Sequence, residues 1–398
     1  MKQIYPPSIT GKGFGPGGSV LDHNFGAGDP YTLGVEEEYM LLDGETLDLV
    51  QHVESVLAAT AGHELQPRVN PELMQSVLEI ATPVCRTPAE VESELRKLRS
   101  YVTGIAREQG MRVGSAGTHP FSLFERQRIT ARDRYRHLVD QLQYVARREL
   151  IFGLHVHVGV DDAEKAVKVV NGLMVHIPAL LALSASSPFW RGEPTGLASS
   201  RQMVFAAFPR SGPPPRFRDY ADFAEVVGQL EKTGCIADYT HIWWDIRLHP
   251  RFGTVEIRIC DAVSRVEDAV ALAAFCQSLV KLYSEQFAVG VEIPSYHRIL
   301  TSENKWLAAR YGLEAPVMDL ATGRRNRVPV AQLVRRTLEE IEPHARELGC
   351  ERELEGIGEI LAKGNGADRQ RRVWNSTHDV SDVVREIADA TERAAIPA

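Results

Sequence analysis

Residues 34–43 (GVEEEYMLLD) place three consecutive glutamates inside an otherwise apolar segment. The segment predicts a β-strand, and successive side chains of a strand point to opposite faces. Glu36 and Glu38 therefore share one face, while Glu37 lies on the other face with the apolar residues. Two carboxylates on one face repel each other and raise each other's pKa, which a divalent cation would relieve. The alternative is a solvated edge strand in which the glutamates prevent aggregation.

Three later predicted strands also carry ionisable side chains on one face and apolar residues on the other. In the segment of residues 69–84, Glu79 lies in a predicted strand and Glu72 lies just before it. The other side chains are His155 and His157, in 153–160, and Glu256 and Arg258, in 254–261 with Cys260 on the same face. One such strand alone is more often a solvated face than a site. Four of them on a shared concave face would form a trough that binds hard cations. Oxygen-rich ligands with one histidine favour Mg²⁺ or Mn²⁺ over zinc.

A metal site of this kind indicates a nucleotide substrate, because Mg²⁺ usually takes phosphate oxygens as ligands. Arg258, on the face of Glu256, has bidentate donors for a transferred phosphoryl group. A cross-strand ion pair between Arg258 and one of the glutamates is the alternative. The chain has no Walker A, H-E-x-x-H or G-x-S-x-G motif. Residues 13–18 (GFGPGG) match the dinucleotide-binding pattern, but no predicted strand precedes them.

The order of predicted elements indicates the fold class. Strands concentrate before residue 262 and helices after it, which predicts an α+β fold with an antiparallel sheet and helices packed on one side. We expect an N-terminal arm over residues 1–30 and a single catalytic domain over 31–398. The C-terminal part of this domain, from about residue 264, is predicted to be helical.

Local signals predict two helix starts and one functional loop. Capping boxes at residues 87–90 and 264–267 predict that a helix begins at each. Residues 187–216 contain six prolines and several arginines, and this segment is too long for a simple connection in a compact domain. We therefore predict that it covers a site.

Composition limits the possible classes of function and indicates the cellular compartment. The net charge of −8 argues against non-specific nucleic-acid binding, which needs a basic surface. The five cysteines are widely spaced without a C-x-x-C pair, which indicates a reducing compartment. The first residues lack the apolar core of a signal peptide, and no run of about 18 apolar residues occurs. We expect a cytoplasmic protein that does not interact with membranes.

Five motifs, GVEEEY, LEIATP, GLHVHVGV, TVEIRICD and ENKWLAARYG, resemble those of the type 2 glutamate–cysteine ligase, or carboxylate–amine ligase, family. The resemblance extends in order from about residue 31 to 378. It implies a glutamine-synthetase-like catalytic fold, in which the concave face of a curved antiparallel sheet binds ATP and Mg²⁺ and helices pack on the outer face. It also suggests a homodimer.

The resemblance assigns roles to individual positions of this chain. It implies the metal ligands Glu36, Glu38, Glu72, Glu79, His155 and Glu256, of which Glu72 departs from the aspartate common at that position. It leaves His157 without a role, and a packed, hydrogen-bonded histidine is the expected state. Arg258 is implied as a catalytic contact to phosphate or carboxylate. By pattern alone we extend phosphate contact to Arg201 and substrate contact to Trp306 and Arg310.

The chemistry that the resemblance implies is ATP-dependent amide formation through an acyl phosphate. A small-molecule carboxylate, expected to be the γ-carboxylate of glutamate, takes the γ-phosphoryl group of ATP, and an amine then displaces phosphate. Two other functions stay open. One is a metal-dependent hydrolase that uses the same acidic trough to activate water. The other is a non-catalytic nucleotide-binding protein.

Overall fold

The computed structural model describes residues 21–294, 296–322 and 326–393. The first twenty residues of the predicted N-terminal arm, with the glycine motif at 13–18, lie outside the described residues. The strands are β1 (Leu33–Asp43), β2 (Val69–Pro71), β3 (Val77–Ala81), β4 (Met111–Gly114), β5 (Gly153–Gly159), β6 (Phe189–Trp190), β7 (Glu193–Pro194), β8 (Ser211–Gly212), β9 (Trp243–Trp244), β10 (Ile246–His249), β11 (Thr254–Asp261), β12 (Pro316–Met318) and β13 (Arg327–Pro329).

Helices fill most of the chain between and after these strands. They are α1 (Val53–Ala59), α2 (Pro88–Glu108), α3 (Asp133–Leu142), α4 (Tyr144–Arg147), α5 (Ala163–Leu173), α6 (Ile177–Ser184), α7 (Arg201–Phe205), α8 (Tyr220–Lys232), α9 (Val266–Ala288), α10 (Arg298–Tyr311), α11 (Val330–Leu348), α12 (Glu351–Lys363), α13 (Gly366–Thr377) and α14 (Val380–Arg393).

One antiparallel sheet organises the molecule. Its strand order is β10-β11-β5-β1-β3-β2, and β4 pairs with the second half of β1. Helices α2, α5, α6 and α9 pack against strands of this sheet, and their apolar side chains join those of the strands in the main core. These observations confirm the predicted α+β class with an antiparallel sheet. The four helices cover one side of it, while α14 packs against β4 beside Met40 and Leu42, which share the face of Glu36 and Glu38.

The segment Ala163–Ser184 is apolar enough to resemble a membrane span, with a hydropathy of 1.7. Within the protein, however, 89% of this window is buried. It contains α5 and α6, which pack against α9 and against strands β10 and β11. The segment is therefore the central core helix pair of the domain.

The helix-covered face of β1 holds a buried ion pair. Glu37 and Arg99 are each 1% exposed, and the Arg99 guanidinium donates to both carboxylate oxygens of Glu37 at 2.5 and 3.0 Å. The Tyr39 hydroxyl donates to the same carboxylate. Arg99 also donates to the backbone oxygens of Val263 and Ser264. The pair therefore joins β1, α2 and the segment that precedes α9.

We expect Arg99→Met to lower the free energy of unfolding by roughly 3–5 kcal/mol, because it leaves the Glu37 carboxylate buried without a partner. Arg96→Met is the matched control on the same helix. Its ion pairs with Glu92 and Glu267 are partly exposed, so the expected loss is below about 1 kcal/mol. Urea denaturation followed by circular dichroism measures both. Equal losses in the two variants would contradict a structural role for the buried pair.

The two predicted helix starts have different outcomes in the structure. Thr87 caps α2 as predicted, since its side chain accepts a hydrogen bond from the Glu90 backbone N–H. The capping box predicted at residues 264–267 is wrong. Helix α9 follows Arg265 without a side-chain cap, because the Ser264 hydroxyl donates instead to the backbone oxygen of Ser115 at 2.7 Å.

A β-bulge interrupts the register of β11 between Ile257 and Cys260. The predicted placement of Cys260 on the face of Glu256 is therefore wrong. Cys260 pairs in register with Leu154 and is buried in the main core, whereas Glu256 pairs with His157. A bulge adds one residue to a strand and so reverses the alternation beyond it.

Candidate active site

The register of the sheet brings the predicted ionisable residues onto one face. Glu36 of β1 lies opposite His155 of β5, and Glu38 lies opposite Glu79 of β3. Side chains of directly opposed residues project from the same face of a sheet. This face forms the floor of a cavity of about 430 Å³. All six predicted metal ligands line it, namely Glu36, Glu38, Glu72, Glu79, His155 and Glu256.

The potential ligand atoms fall into two groups, each within 4.8 Å. One group contains Glu38, Glu72 and Glu79, and the other contains Glu36, His157 and Glu256. His155 lies beside the second group, with Nδ1 at 3.2 Å from Oε2 of Glu36.

His157, which had no role in the sequence prediction, lies between Glu36 and Glu256. Its Nδ1 is 3.0 Å from the Thr254 hydroxyl. Its Nε2 is 3.6 Å from Glu36 and 3.8 Å from Glu256, and this buried atom has no hydrogen-bond partner. His157 is thus only half satisfied as a packed histidine. Its free nitrogen faces two carboxylates, which is an arrangement suited to a shared cation.

Burial, together with the charges of neighbouring carboxylates, raises the pKa values of the first group. Burial, followed by the charge of Glu72, raises the pKa of Glu38 to about 7, although Arg201 and the Gly153 backbone N–H oppose the rise. Burial and the surrounding glutamates raise the pKa of Glu79 well above its ordinary value. Burial also raises the pKa of Glu72. The protein itself supplies too little positive charge to neutralise these three groups.

The second group is compensated by neighbouring side chains. Burial alone would raise the pKa of Glu36, but its interactions with His155 and His157 outweigh burial and hold the pKa well below its ordinary value. Glu256 is also buried, and the charges of Arg247 and Arg258 outweigh that burial to hold its pKa well below the ordinary range. Both carboxylates are therefore ionised at neutral pH.

Arg258 both lines the cavity and pairs with Glu256, which lies two residues earlier on the same strand rather than across from it as the ion-pair alternative assumed. Its Nε is buried without a hydrogen-bond partner. Arg247, from β10, holds Glu256 from the other side and is itself fixed by the Ile242 backbone oxygen at 2.6 Å. The sequence prediction gave Arg247 no role, although its alternation along β10 placed it on a polar face.

Arg201 enters the cavity from the long segment 187–216. It begins α7, is 3% exposed, and lies 3.9 Å from the carboxylate of Asp261. Asp261 in turn accepts hydrogen bonds from the hydroxyls of Ser187 and Ser199 at 2.7 and 2.8 Å. The segment is therefore anchored to the end of β11 and contributes Arg201, Phe205 and Phe208 to the cavity lining.

Trp306 and Arg310 lie on α10 and are not among the residues that line the cavity. Trp306 is 43% exposed, and the Arg310 guanidinium donates to the backbone oxygen of Gly196. The structure therefore does not bring these two predicted substrate contacts together with the carboxylates. Their motif packs α10 against α6 and β12.

Glu149 was not predicted as a site residue, although it lines the same cavity. Burial raises its pKa to about 8, against the charges of Arg201 and Arg148. It lies between α4 and β5, outside any strand. Alternation therefore could not assign it to a face, and no other signal in the sequence marks it.

Comparison with known proteins places the chain in a family. The model of glutamate–cysteine ligase family 2 matches residues 32–387. The chain belongs to this family. The predicted glutamate–cysteine ligase 2-1 of Rubrobacter xylanophilus is 44% identical over 366 residues, which cover 92% of this chain and 96% of the relative. A predicted glutamate–cysteine ligase 2 of Sorangium cellulosum is 45% identical over 361 residues, which cover 90% and 96%.

Solved structures agree with this fold. The glutamate–cysteine ligase of Francisella tularensis in complex with AMP has a TM-score of 0.68 at 13% identity, over 93% of this chain and 90% of that chain. The ligase PafA in complex with the ubiquitin-like protein Pup has a TM-score of 0.50 at 11% identity, over 93% and 73%. Family membership confirms the predicted enzyme class, an ATP-dependent carboxylate–amine ligase.

Proposed function

We propose that this family 2 ligase joins the γ-carboxylate of glutamate to a primary amine, with Mg²⁺ held in the trough and ATP as co-substrate. The observation that carries the proposal is the convergence of two acidic groups, Glu38 with Glu72 and Glu79 and Glu36 with Glu256, beside Arg201 and Arg258. The names of the related ligases support glutamate as the acid.

The residues present suit a hard divalent cation. The first group offers three carboxylates whose pKa values are raised by burial and by neighbouring carboxylates, and the second offers two carboxylates and the unpartnered Nε2 of His157. Oxygen-rich donors with one nitrogen favour Mg²⁺ or Mn²⁺. When bound there, the metal would neutralise negative charge on phosphate oxygens during transfer.

In the first step, side chains of the protein orient the phosphoryl group that is transferred. A γ-carboxylate oxygen of glutamate attacks the γ-phosphorus of ATP, the bond to the β-phosphate oxygen breaks, and ADP leaves from an acyl phosphate. Arg258 lines the cavity and its buried Nε has no hydrogen-bond partner, while Arg201 is held by backbone oxygens of β11. Fixed guanidinium groups stabilise charge on a transferring phosphoryl group without reorganisation.

The purified protein tests the function directly. It is incubated with ATP, Mg²⁺, glutamate and a panel of primary amines, and phosphate release and the γ-glutamyl amide are measured. We expect release that needs both the acid and the amine, and that EDTA abolishes. A hydrolase would cleave an ester or amide without consuming ATP, and a nucleotide-binding protein would leave ATP intact. Either result would replace the proposal.

We expect Mg²⁺ to stabilise the protein more at pH 7.5 than at pH 5.5. Because the pKa of Glu38 is raised to about 7 in the folded protein, stability in EDTA falls as pH rises from about 4.5 towards 7. Glu36 and Glu256 have lowered pKa values, so their contribution changes only below this window. Bound Mg²⁺ removes the repulsion that develops at higher pH.

Thermal melting with Mg²⁺ and with EDTA measures this effect at both pH values. The difference between the two melting temperatures is expected to be larger by a few degrees at pH 7.5. The difference between the melting temperatures with Mg²⁺ and with EDTA, taken at each pH, cancels the effect of titrating groups that do not face the metal. A difference that shrinks as pH rises would contradict the proposed occupancy by Mg²⁺.

A further inference from the structure

One arginine at the cavity has no partner in the described part of the chain. Arg134 of α3 is exposed and lines the cavity, and its guanidinium forms no hydrogen bond or ion pair with a described residue. The arginines on either side of it in sequence are paired. Arg132 contacts Glu54 and Arg136 contacts Asp133, each at 2.9 Å. The donors of Arg134 are therefore available to a ligand in the cavity.

Three other arginines that line the cavity are already engaged by the protein. Arg247 and Arg258 share the carboxylate of Glu256, and Arg201 donates to two backbone oxygens of β11. A guanidinium that already serves a protein group gives up part of that interaction when it turns to a ligand. Arg134 gives up no contact with a described residue, so its attraction to an anion is not offset in this way.

Two hydroxyl groups fix the backbone around Arg134. The Thr130 hydroxyl donates to the backbone oxygen of Glu72 at 2.6 Å, and the Tyr135 hydroxyl donates to that of Pro71 at 2.8 Å. Glu72 belongs to the first acidic group of the cavity. The start of α3 is thus tied to the segment that carries this carboxylate. A fixed backbone that presents an unengaged guanidinium to the cavity is preorganised for binding.

The composition of the cavity lining explains why such a cation is needed. Among the described residues, seven acidic and five arginine side chains line the cavity. A substrate of a carboxylate–amine ligase is itself anionic, because ATP carries phosphate groups and the acid carries carboxylates. Acidic side chains repel it, and cations at the same place oppose that repulsion. An unengaged guanidinium provides such a charge together with hydrogen-bond donors.

We propose that Arg134 binds an anionic oxygen group of a substrate, either a phosphate group of ATP or a carboxylate group of glutamate. This inference rests on the proposed function, from which it takes the two substrates, and it adds a binding residue outside the sheet. Either group presents two oxygens that accept the paired donors of a guanidinium. Tyr135 is a positioning residue, because its bond to Pro71 holds the turn of α3 that carries Arg134.

Equilibrium binding to the purified protein distinguishes the two substrates. Isothermal titration calorimetry in Mg²⁺ measures the Kd of the β,γ-methylene analogue of ATP, and then the Kd of glutamate with this analogue bound at saturation. We expect Arg134→Met to weaken one of the two ligands by about tenfold or more and the other much less. Weaker binding of the analogue would identify the phosphate group, and weaker binding of glutamate would identify the carboxylate.

Two further variants separate contact from charge. Arg136→Met is the matched control, because Arg136 is on the same helix and is not among the residues that line the cavity. We expect both of its Kd values to equal those of the wild type. Arg134→Lys keeps the charge without the paired donors, so we expect it to restore only part of the lost affinity. Circular dichroism verifies that each variant is folded.

Tyr135→Phe tests the positioning role. It removes the hydrogen bond to Pro71 and keeps the ring in the cavity wall. We expect it to weaken the same ligand as Arg134→Met, by about threefold. In the double variant the two losses should not multiply, because Tyr135 acts through Arg134. Losses that multiply would overturn the positioning role of Tyr135.

The outcomes separate this inference from the function on which it rests. A wild-type protein that releases no phosphate with glutamate and an amine would overturn the proposed function. A wild-type protein that does so, with unchanged Kd values in Arg134→Met, would overturn the role of Arg134 alone. Equal weakening of both ligands, or full recovery in Arg134→Lys, would reduce Arg134 to a distant charge and overturn the direct contact.

Discussion

Replacing Glu38 with glutamine is expected to lower turnover on the order of 10³-fold while the protein stays folded. Glu38 lies within the acidic group formed with Glu72 and Glu79, and it accepts a hydrogen bond from the Gly153 backbone N–H at 2.6 Å. The glutamine oxygen can keep that hydrogen bond, so the strand pairing is retained. The substitution removes the negative charge, and with it a proposed metal ligand close to Arg201.

Phosphate release dependent on glutamate and amine measures the effect on turnover, and thermal melting with EDTA measures the fold. The matched control is Glu45→Gln, because Glu45 is exposed in the turn after β1. We also expect the stabilisation by Mg²⁺ to decrease in Glu38→Gln and to persist in Glu45→Gln. Wild-type turnover in Glu38→Gln would remove this residue from the active site.

Replacing Arg258 with lysine is expected to lower kcat by about 10²-fold. Lysine keeps the positive charge and can still pair with Glu256, so the electrostatic balance around that carboxylate is largely maintained. An ammonium group cannot offer the planar pair of donors that a phosphoryl group accepts from arginine. The loss should therefore fall on the chemical step more than on the stability of the fold.

Single-turnover formation of ADP with glutamate isolates this step from amine attack. The control is Arg216→Lys, at an exposed position of the long segment 187–216, for which we expect the wild-type rate. An unchanged rate in Arg258→Lys would mean that Arg258 serves as the partner of Glu256 alone. That result would support the ion-pair alternative that the sequence already offered.

Alternation along single strands predicted much of the site. It separated Glu36 and Glu38 from Glu37, and the structure places the first two in the cavity and Glu37 in the core. This succeeded because successive side chains of a strand without irregularity point to opposite faces of the sheet. It failed for Cys260, because a bulge is a property of the pairing between two strands and leaves little trace in one sequence.

Other features depend on contacts between distant segments. The position of His157 between Glu36 and Glu256 follows from the register of β5 with both neighbours, which no single strand specifies. Glu149 lies outside any repeating element, so no periodicity could assign it. Helix α13 lies between the helices that the sequence predicts at about 328–363 and 379–394, so the sequence reasoning missed it. It has a polar composition and is held by the side chains of Asn365 and Gln370 against backbone oxygens of 182 and 186.

The ion pair of Glu37 with Arg99 gives β1 a permanent counterion on one side, whereas the counterions proposed for its other side can be exchanged. The counterion on the core face of β1 is thus fixed when the chain folds. The occupancy of the counterions proposed for the cavity face depends on the ion concentration of the solution. A fall in the free Mg²⁺ concentration would change the charge balance on the cavity face of β1, while the packing of its core face stays constant. Under the proposed function, the eleven residues of β1 therefore respond to ion supply on one face only.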